Sequence, residues 1–499
     1  MFAAVLLGLH LMTLAPADDG VAEDLEALRG AAKLVPKVRA GFSRAYVRRD
    51  LAAAMASCGD TNSAKDLLRQ AIEDVETGSG RNLRGTILAQ IAQTQATCGD
   101  LEGAAQTIRK ARDFAAMTDD PNSRVSIRVE AAKAEAQCGH FDAARAAAKD
   151  AINNSGEPFS LKLVGEKMRR WNDVSRMIED IELRAAYRKG DRDTIGRIVA
   201  SRLAASKFAL MDERGPGEDL MDLTRLQLTR TQAGAYAIDE ARATADKIPD
   251  SGAYAKTFAL IAISQAQLEM GTLPAAAATA RAALPHARRI PLQDLAMRFA
   301  ALKPVQDRAH AIALVVAVLA RAEGPAGAAK VAEALDDLEE KALALAAIAE
   351  HEPRDAARAR LAKAEAPILA HADPLVRERI LTRLAISRAR AGVEVDIEEV
   401  ANRIKRPDDR DSFRYRVADA TAQRGDLDRA REILATVPRV KSSPFMMNGL
   451  INRAASEGHS REALALIGED LEPGARALAI TALANGIVEH QGRTRRPKP

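Results

Sequence analysis

The chain has 499 residues, with 73 Lys and Arg against 69 Asp and Glu and a formal net charge of +4. Charges of both signs are scattered along the chain, which argues against nucleic-acid binding, because that function concentrates basic residues on one face. Aromatic residues make up only 3% of the chain, and alanine, arginine, leucine and glutamate dominate. This composition favours an all-α fold over any sheet.

Residues 1–17 have the pattern of an export signal. Phe2 to Leu14 is mostly apolar, and Ala15-Pro16-Ala17 and two aspartates follow. Such a pattern is typical of a cleaved secretory signal, and the run is too short to span a bilayer. No Lys or Arg precedes the run, so the alternative is a cap helix buried on the first repeat. If the signal is real, we expect a periplasmic or secreted protein; otherwise we expect a cytoplasmic protein. In either case we expect no transmembrane segment in the mature chain.

All three cysteines lie at one position of a repeat with a period of forty residues. Cys58, Cys98 and Cys138 are each followed by glycine. Alanines keep the same register at three further positions: Ala52, Ala92 and Ala132; Ala64, Ala104 and Ala144; and Ala71, Ala111 and Ala151. A fixed period of this length is typical of a stacked helical repeat. In such an array each unit contacts only its neighbours, so a chain of this length need not divide into globular domains.

The middle copy predicts two helices joined by a tight turn. Helix-forming residues without proline precede Gly99, which can adopt the left-handed conformation that ends a helix. Asp100 can then cap the second helix by accepting hydrogen bonds from its free amides. Small residues at the recurring alanine positions allow the two antiparallel helices to approach closely.

These residues resemble the tetratricopeptide repeat. The string Gly99-Asp-Leu-Glu-Gly-Ala104, with Ala92 before it and Ala111 after it, matches the small residues and the turn of that family. Gly392, Gly425 and Gly458 are 33 residues apart, close to its period of about 34. The resemblance implies a right-handed α-solenoid of stacked antiparallel helix pairs. The large aromatic residues of the family are mostly replaced here by small and aliphatic ones, so its superhelical pitch is not carried over.

The pattern divides the chain into segments. After residues 1–17, the helix, turn and breaker residues predict a lead-in helix at 18–45 and then N-terminal repeats at 46–210 with an irregular end. A hinge loop at 211–219 follows, then C-terminal repeats at 220–490 and a basic disordered tail at 491–499. The hinge prediction rests on two glycines that flank a proline, which cannot continue a helix. It would divide the solenoid into two arcs.

No catalytic, metal or cofactor motif is present in the sequence. It contains no His-Glu-x-x-His, no Cys-x-x-Cys, no phosphate-binding Gly-x-x-x-x-Gly-Lys and no Gly-x-Ser-x-Gly. The cysteines are predicted to be small packing residues, because equivalent positions of stacked helices lie about 10 Å apart and a disulfide needs Cα atoms within about 7 Å. We therefore predict no enzyme activity, no cofactor and no metal.

These features favour a non-catalytic scaffold that binds a protein or peptide along its concave face. If the geometry of the resembled family carries over, Arg49, Gln93 and Lys133 occupy matching inward-facing positions on three successive first helices. There they could hold a partner's carboxylates or backbone by hydrogen bonds. For each residue the alternative is an ordinary exposed polar side chain. Two other functions stay open: an enzyme or helical accessory domain acting on a cell-envelope polymer, and a self-assembling structural subunit.

Overall fold

The computed structural model describes residues 19–39, 41–78, 81–153, 161–201, 217–291, 308–372, 374–404, 407–437, 444–467 and 471–494. Every regular element within these ranges is a helix, and none of them contains a strand. The all-α prediction is therefore confirmed, and the contacts between successive helices are those of a helical repeat.

The helices form two compact units, and the chain passes from one to the other within α8 (Leu161–Lys189), in the turn before α21 (Leu427–Ala435) and again within α21. The first unit contains helices from both ends of the chain: α1 Asp19–Leu34, a 3-10 turn at Val35–Lys37, α2 Phe42–Ser57, α3 Thr61–Thr77, α4 Arg81–Thr97, α5 Leu101–Ala116, α6 Pro121–Gln137, α7 Phe141–Asn153, most of α8 Leu161–Lys189, α22 Pro444–Ser456, α23 Ser460–Ala465 and α24 Pro473–Thr494. Within this unit α24 packs against α2, and α1 packs against α23.

The second unit contains the central helices. They are α9 at 192–201, α10 Gly217–Gly234, α11 Ile238–Asp246, α12 Ala253–Glu269, α13 Leu273–Arg288, α14 Arg308–Glu323, α15 Pro325–Glu333, α16 Leu338–Ala349, α17 Arg354–Leu369, α18 Pro374–Arg390, α19 Ile397–Arg403, α20 Pro407–Ala422 and part of α21 Leu427–Ala435. Successive helices contact each other along this series, from α12 with α13 to α18 with α20.

The predicted turns are present. Glycine adopts a left-handed φ after the first helix of nine helix pairs, at Gly59, Gly99, Gly139, Gly190, Gly271, Gly324, Gly392, Gly425 and Gly458. At Gly99 the following amide, that of Asp100, donates to the Gln95 carbonyl at 2.9 Å, which satisfies the end of α4. The Asp100 carboxylate accepts from the Gly103 amide and so caps α5, as predicted.

The recurring alanines are all buried. The nine alanines of the forty-residue register, three each in the 52, 64 and 71 series, are all at most 1% exposed. Small side chains allow two helices to approach closely, so nine buried alanines at one register suit the close packing of stacked helices.

The structure changes three of the predicted boundaries. The lead-in helix predicted at 18–45 ends at Leu34, and residues 42–45 belong to α2, which begins at Phe42. Residues 217–219, predicted as part of the hinge loop at 211–219, belong to α10, which begins at Gly217. The tail predicted from 491 is helical through Thr494, because Gln491 is buried and its amide donates to the Asp24 carboxylate at 2.7 Å. The export signal at 1–17, most of the hinge and residues 495–499 lie outside the described residues, and export stays a prediction.

Candidate partner-binding face

One position of the repeat carries polar side chains across neighbouring helices of the first unit. Asp50, Gln90 and Glu130 lie forty residues apart, each nine residues before a left-handed glycine. Their helices α2, α4 and α6 contact each other in succession. Together with their contacts they form what we call the polar row: Thr481, Asp50, Arg49, Gln90, Gln93, Glu130 and Lys133.

Arg49 joins two helices of the polar row. Its Nε and Nη2 atoms donate to Asp50 Oδ1 at 2.9 and 2.6 Å, and its Nη1 donates to Gln90 Oε1 on the next first helix at 2.7 Å. The guanidinium also lies 5.0 Å from the centre of the Tyr46 ring, within cation–π range. Arg49 is therefore fixed by four contacts rather than extended into solvent.

Gln93 and Lys133 meet at Glu130. Gln93 Nε2 donates to the Glu130 carbonyl at 3.2 Å and to its Oε2 at 3.0 Å, whereas Lys133 Nζ donates to Glu130 Oε1 at 2.6 Å. The Lys133 and Glu130 side chains are 15% and 19% exposed, so the pair is partly open to solvent. A lysine ammonium has three donors, and only one of them is used in the Glu130 contact.

The C-terminal helix α24 extends the polar row at its other end. Thr481 Oγ1 donates to Asp50 Oδ2 at 2.9 Å, so both oxygens of this buried carboxylate are occupied. On the neighbouring helix α22, Asn452 Nδ2 donates to the Ala482 carbonyl at 3.2 Å. The row therefore connects α24, α2, α4 and α6 by side-chain hydrogen bonds.

The structure brings all three residues predicted from the sequence into the polar row, but not in one register. Gln93 and Lys133 are forty residues apart, whereas Arg49 corresponds to Ala89 and not to a third member of that series. Sequence reasoning missed Asp50, Gln90 and Glu130, which do share one register and accept the hydrogen bonds. The forty-residue period of the cysteines would have identified them.

The charges of the polar row balance, since Arg49 and Lys133 face Asp50 and Glu130. Burial raises the pKa of the Tyr46 hydroxyl, the positive charge of Arg49 lowers it, and the Asp50 and Glu130 carboxylates raise it further. Tyr46 therefore stays neutral at physiological pH. What the row offers a ligand is a fixed pattern of hydrogen-bonding groups with little net charge.

Neither a metal cluster nor a membrane-spanning helix is found in the part of the chain that the structure describes. No three His, Cys, Asp or Glu side chains there are grouped as metal ligands. No helix there combines the length and the apolar character needed to cross a bilayer.

The cysteines lie at the ends of first helices and are all free thiols. The pKa of Cys98 is raised to about 11, mainly because the thiol is buried. The charge of Asp100 raises the pKa further, whereas a hydrogen bond with Thr97 and the charge of Lys65 lower it. Burial, with the charge of Glu135, also raises the pKa of Cys138. A raised pKa means less thiolate at neutral pH, and the thiolate is the reactive form.

Alkylation of Cys98 by iodoacetamide at pH 8 should therefore be about two orders of magnitude slower than that of an ordinary thiol with a pKa near 8.5. Its rate should keep rising above pH 9, where an ordinary thiol levels off. Peptide-level mass spectrometry over time measures both, and the same chain in urea is the matched control. Equal rates at Cys98 in the folded and unfolded chain would contradict the burial argument.

Comparison with known proteins identifies no family. No protein-family model matches the chain, and no curated protein matches it. Among solved structures, that of Ton1535 from Thermococcus onnurineus NA1 matches with a TM-score of 0.27 and 15% sequence identity, over 71% of this chain and 94% of that one. A match at this TM-score carries no argument, so the candidate face rests on its own geometry.

Proposed function

We propose that this protein is a non-catalytic scaffold that holds an extended protein or peptide segment along the polar row of its first unit. The observation that carries the proposal is the row itself: polar side chains on four contacting helices, α24, α2, α4 and α6, are held in fixed positions by hydrogen bonds. Binding to groups that are already ordered loses less side-chain entropy than binding to mobile ones.

Particular atoms of the row suit a peptide backbone. Gln93 donates through Nε2 to Glu130, which leaves its carbonyl oxygen to accept from a partner's N–H. The further N–H groups of Lys133 can donate to a partner's carbonyl oxygen or carboxylate. Because an extended chain presents N–H and C=O groups at regular intervals, a row of side chains on successive helices can bind several of them at once.

The test leaves Arg49 unchanged. Replacing it with glutamate would place a second carboxylate beside Asp50, which is buried, so lost binding could not be separated from lost stability. Gln93→Ala with Lys133→Ala instead removes two partly exposed members that do not contact the buried Asp50. Gln106→Ala with Lys149→Ala is the matched control, because both residues are exposed on the second helices α5 and α7.

The full chain and both double variants serve as baits in an affinity pull-down from the source cell, and each recovered protein is then purified and its affinity measured. We expect a partner whose affinity falls about tenfold with the Gln93 and Lys133 variant and does not change with the control variant. A tenfold loss is the effect of removing one or two hydrogen bonds, one of them to a charged group. A partner that binds both variants equally would remove the polar row from the interface. If the chain recovers only copies of itself, light scattering over a concentration series would support the self-assembling subunit instead.

A further inference from the structure

The second unit contains a cavity of about 310 Å³ between α18 and α20 that is lined by three arginines. They are Arg379 and Arg383 on α18 and Arg416 on α20. Arg383 and Arg416 lie nine residues before Gly392 and Gly425, the same repeat position as Asp50, Gln90 and Glu130 in the first unit. The repeat position that carries acids and an amide in one unit therefore carries guanidinium groups in the other.

Two of these arginines share one carboxylate. Arg379 Nη2 donates to Glu339 Oε2, and Arg383 Nη1 donates to Glu339 Oε1 at 3.2 Å. Both are thereby held on one wall of the cavity. Arg416, on the opposite helix, makes no hydrogen bond and no ion pair with any residue that the structure describes.

The surroundings of Arg416 favour an anion. Arg416 is an exposed residue, but partial desolvation of its guanidinium and the positive charges of Arg390 and Arg383 lower its pKa, whereas the charge of Asp419 raises it. An arginine remains protonated at physiological pH in spite of such a shift. A bound anion would offset the repulsion between Arg416 and these neighbouring arginines.

The other lining residues distinguish a singly charged ligand from a phosphate. Glu378 and Asp409 also line the cavity, and Glu339 pairs with two of the arginines, so the three positive charges are largely offset and the site favours a singly charged anion over a dianion. The Ser412 hydroxyl offers a further donor, whereas the Thr382 hydroxyl already donates to the Glu378 carbonyl at 2.8 Å. Phe413 provides an apolar wall. A single carboxylate on a short aliphatic stem matches this set, and a cavity of this size lies at the small end of ligand sites.

We propose that the cavity between α18 and α20 binds a carboxylate group of an acidic peptide, with Arg416 as its main ligand. Arg416 has the planar fork that binds a carboxylate through two parallel hydrogen bonds, and Arg383 adds charge from the other wall. The site belongs to the second unit and does not depend on the polar row, so either proposal can fail while the other holds.

The test measures fluorescence anisotropy of labelled hexapeptides with the full chain. Hexaglutamate amide probes side-chain carboxylates, hexaglutamine with a free C-terminus probes a terminal carboxylate, and hexaglutamine amide is the neutral control. We expect one of the first two to bind and the third not to bind. Binding should weaken with rising salt, and millimolar inorganic phosphate should not displace the peptide.

Two variants locate the site. Arg416→Gln should weaken binding about tenfold or more, since it removes charge-assisted hydrogen bonds, and Arg416→Lys should recover only part of the affinity because a lysine cannot bind in the two-point mode. Arg358→Gln is the matched control: this arginine of α17 is exposed and its ion pair with Asp355, at 3.6 Å, is local. Its affinity should equal that of the unchanged chain.

Thermal unfolding separates binding from folding. Because Arg416 has no ion pair to lose and faces Arg383 and Arg390, Arg416→Gln should leave the melting temperature unchanged or raise it. Three results would each overturn the proposal. They are no binding of either hexaglutamate amide or hexaglutamine with a free C-terminus, an equal loss of peptide affinity in the Arg416 and Arg358 variants, and displacement of the peptide by phosphate.

Discussion

Replacing Asp24 with alanine should lower the free energy of unfolding of the first unit by about 2–4 kcal/mol, because two buried hydrogen-bond donors lose their acceptor. Asp24 is 1% exposed, and its carboxylate accepts from Ser460 Oγ and, at 2.7 Å, from Gln491 Nε2. Both partners are themselves buried. These contacts connect α1 with α23 and α24, so the aspartate joins the two ends of the chain.

Asp24→Asn is the matched control. An asparagine of the same shape can accept from Gln491 with its oxygen and donate to the Ser460 hydroxyl, which is both donor and acceptor. We therefore expect a much smaller loss of stability. Hydrogen exchange read by mass spectrometry should show faster exchange in 19–34 and 473–494 for the alanine variant alone. Equal exchange in both variants, or no change in either, would contradict the assigned role of the carboxylate.

The pairing of Asp24 with Ser460 shows which part of this fold a sequence can predict. The turn at Gly99 and Asp100 was predicted correctly because its signals lie within a few residues of one another and recur at a fixed period. A hydrogen bond between residues more than four hundred positions apart has no such local signal. The same contact network keeps Gln491 in a helix where composition alone predicted a disordered tail.

The candidate site was predictable to the same extent. The residue types and the first helices of the polar row follow from the repeat, and Arg49, Gln93 and Lys133 do lie in it. What the sequence could not provide is where their hydrogen bonds go: Arg49 joins α2 to α4 through Asp50 and Gln90, whereas Lys133 contacts Glu130 on its own helix. In the second unit, the spacing of Arg383 and Arg416 is visible in the sequence, whereas the cavity between their helices is not.

Asp74 is expected to be the most sensitive charged residue of the first helix pair. It lies on α3 with a side chain only 5% exposed, and it forms ion pairs with two arginines of α2: Arg44 Nε lies 2.9 Å from Oδ1, and Arg48 Nη1 contacts Oδ2. Asp74→Ala leaves both guanidinium groups without this acceptor, because among the residues that the structure describes only Arg48 has a further contact, with the Gln70 carbonyl at 3.1 Å. Breaking a fully buried pair costs about 3–5 kcal/mol. Because the Arg44 and Arg48 side chains are 25% and 16% exposed, we expect a loss near the lower end of that range.

The measurement is urea unfolding followed by the fluorescence of Trp171, the single tryptophan of the chain, which packs against a core cluster of the first unit. The matched control is Asp66→Ala on the same helix, whose side chain is 72% exposed and lies 3.9 Å from Arg69. Exposed ion pairs contribute little, because water and salt screen them and side-chain entropy opposes them. Asp74→Ala should therefore move the unfolding midpoint strongly and Asp66→Ala hardly at all. Similar shifts from both would mean that charge removal, and not burial, determines the loss, and the ion pairs between α2 and α3 would then not be what holds this helix pair together.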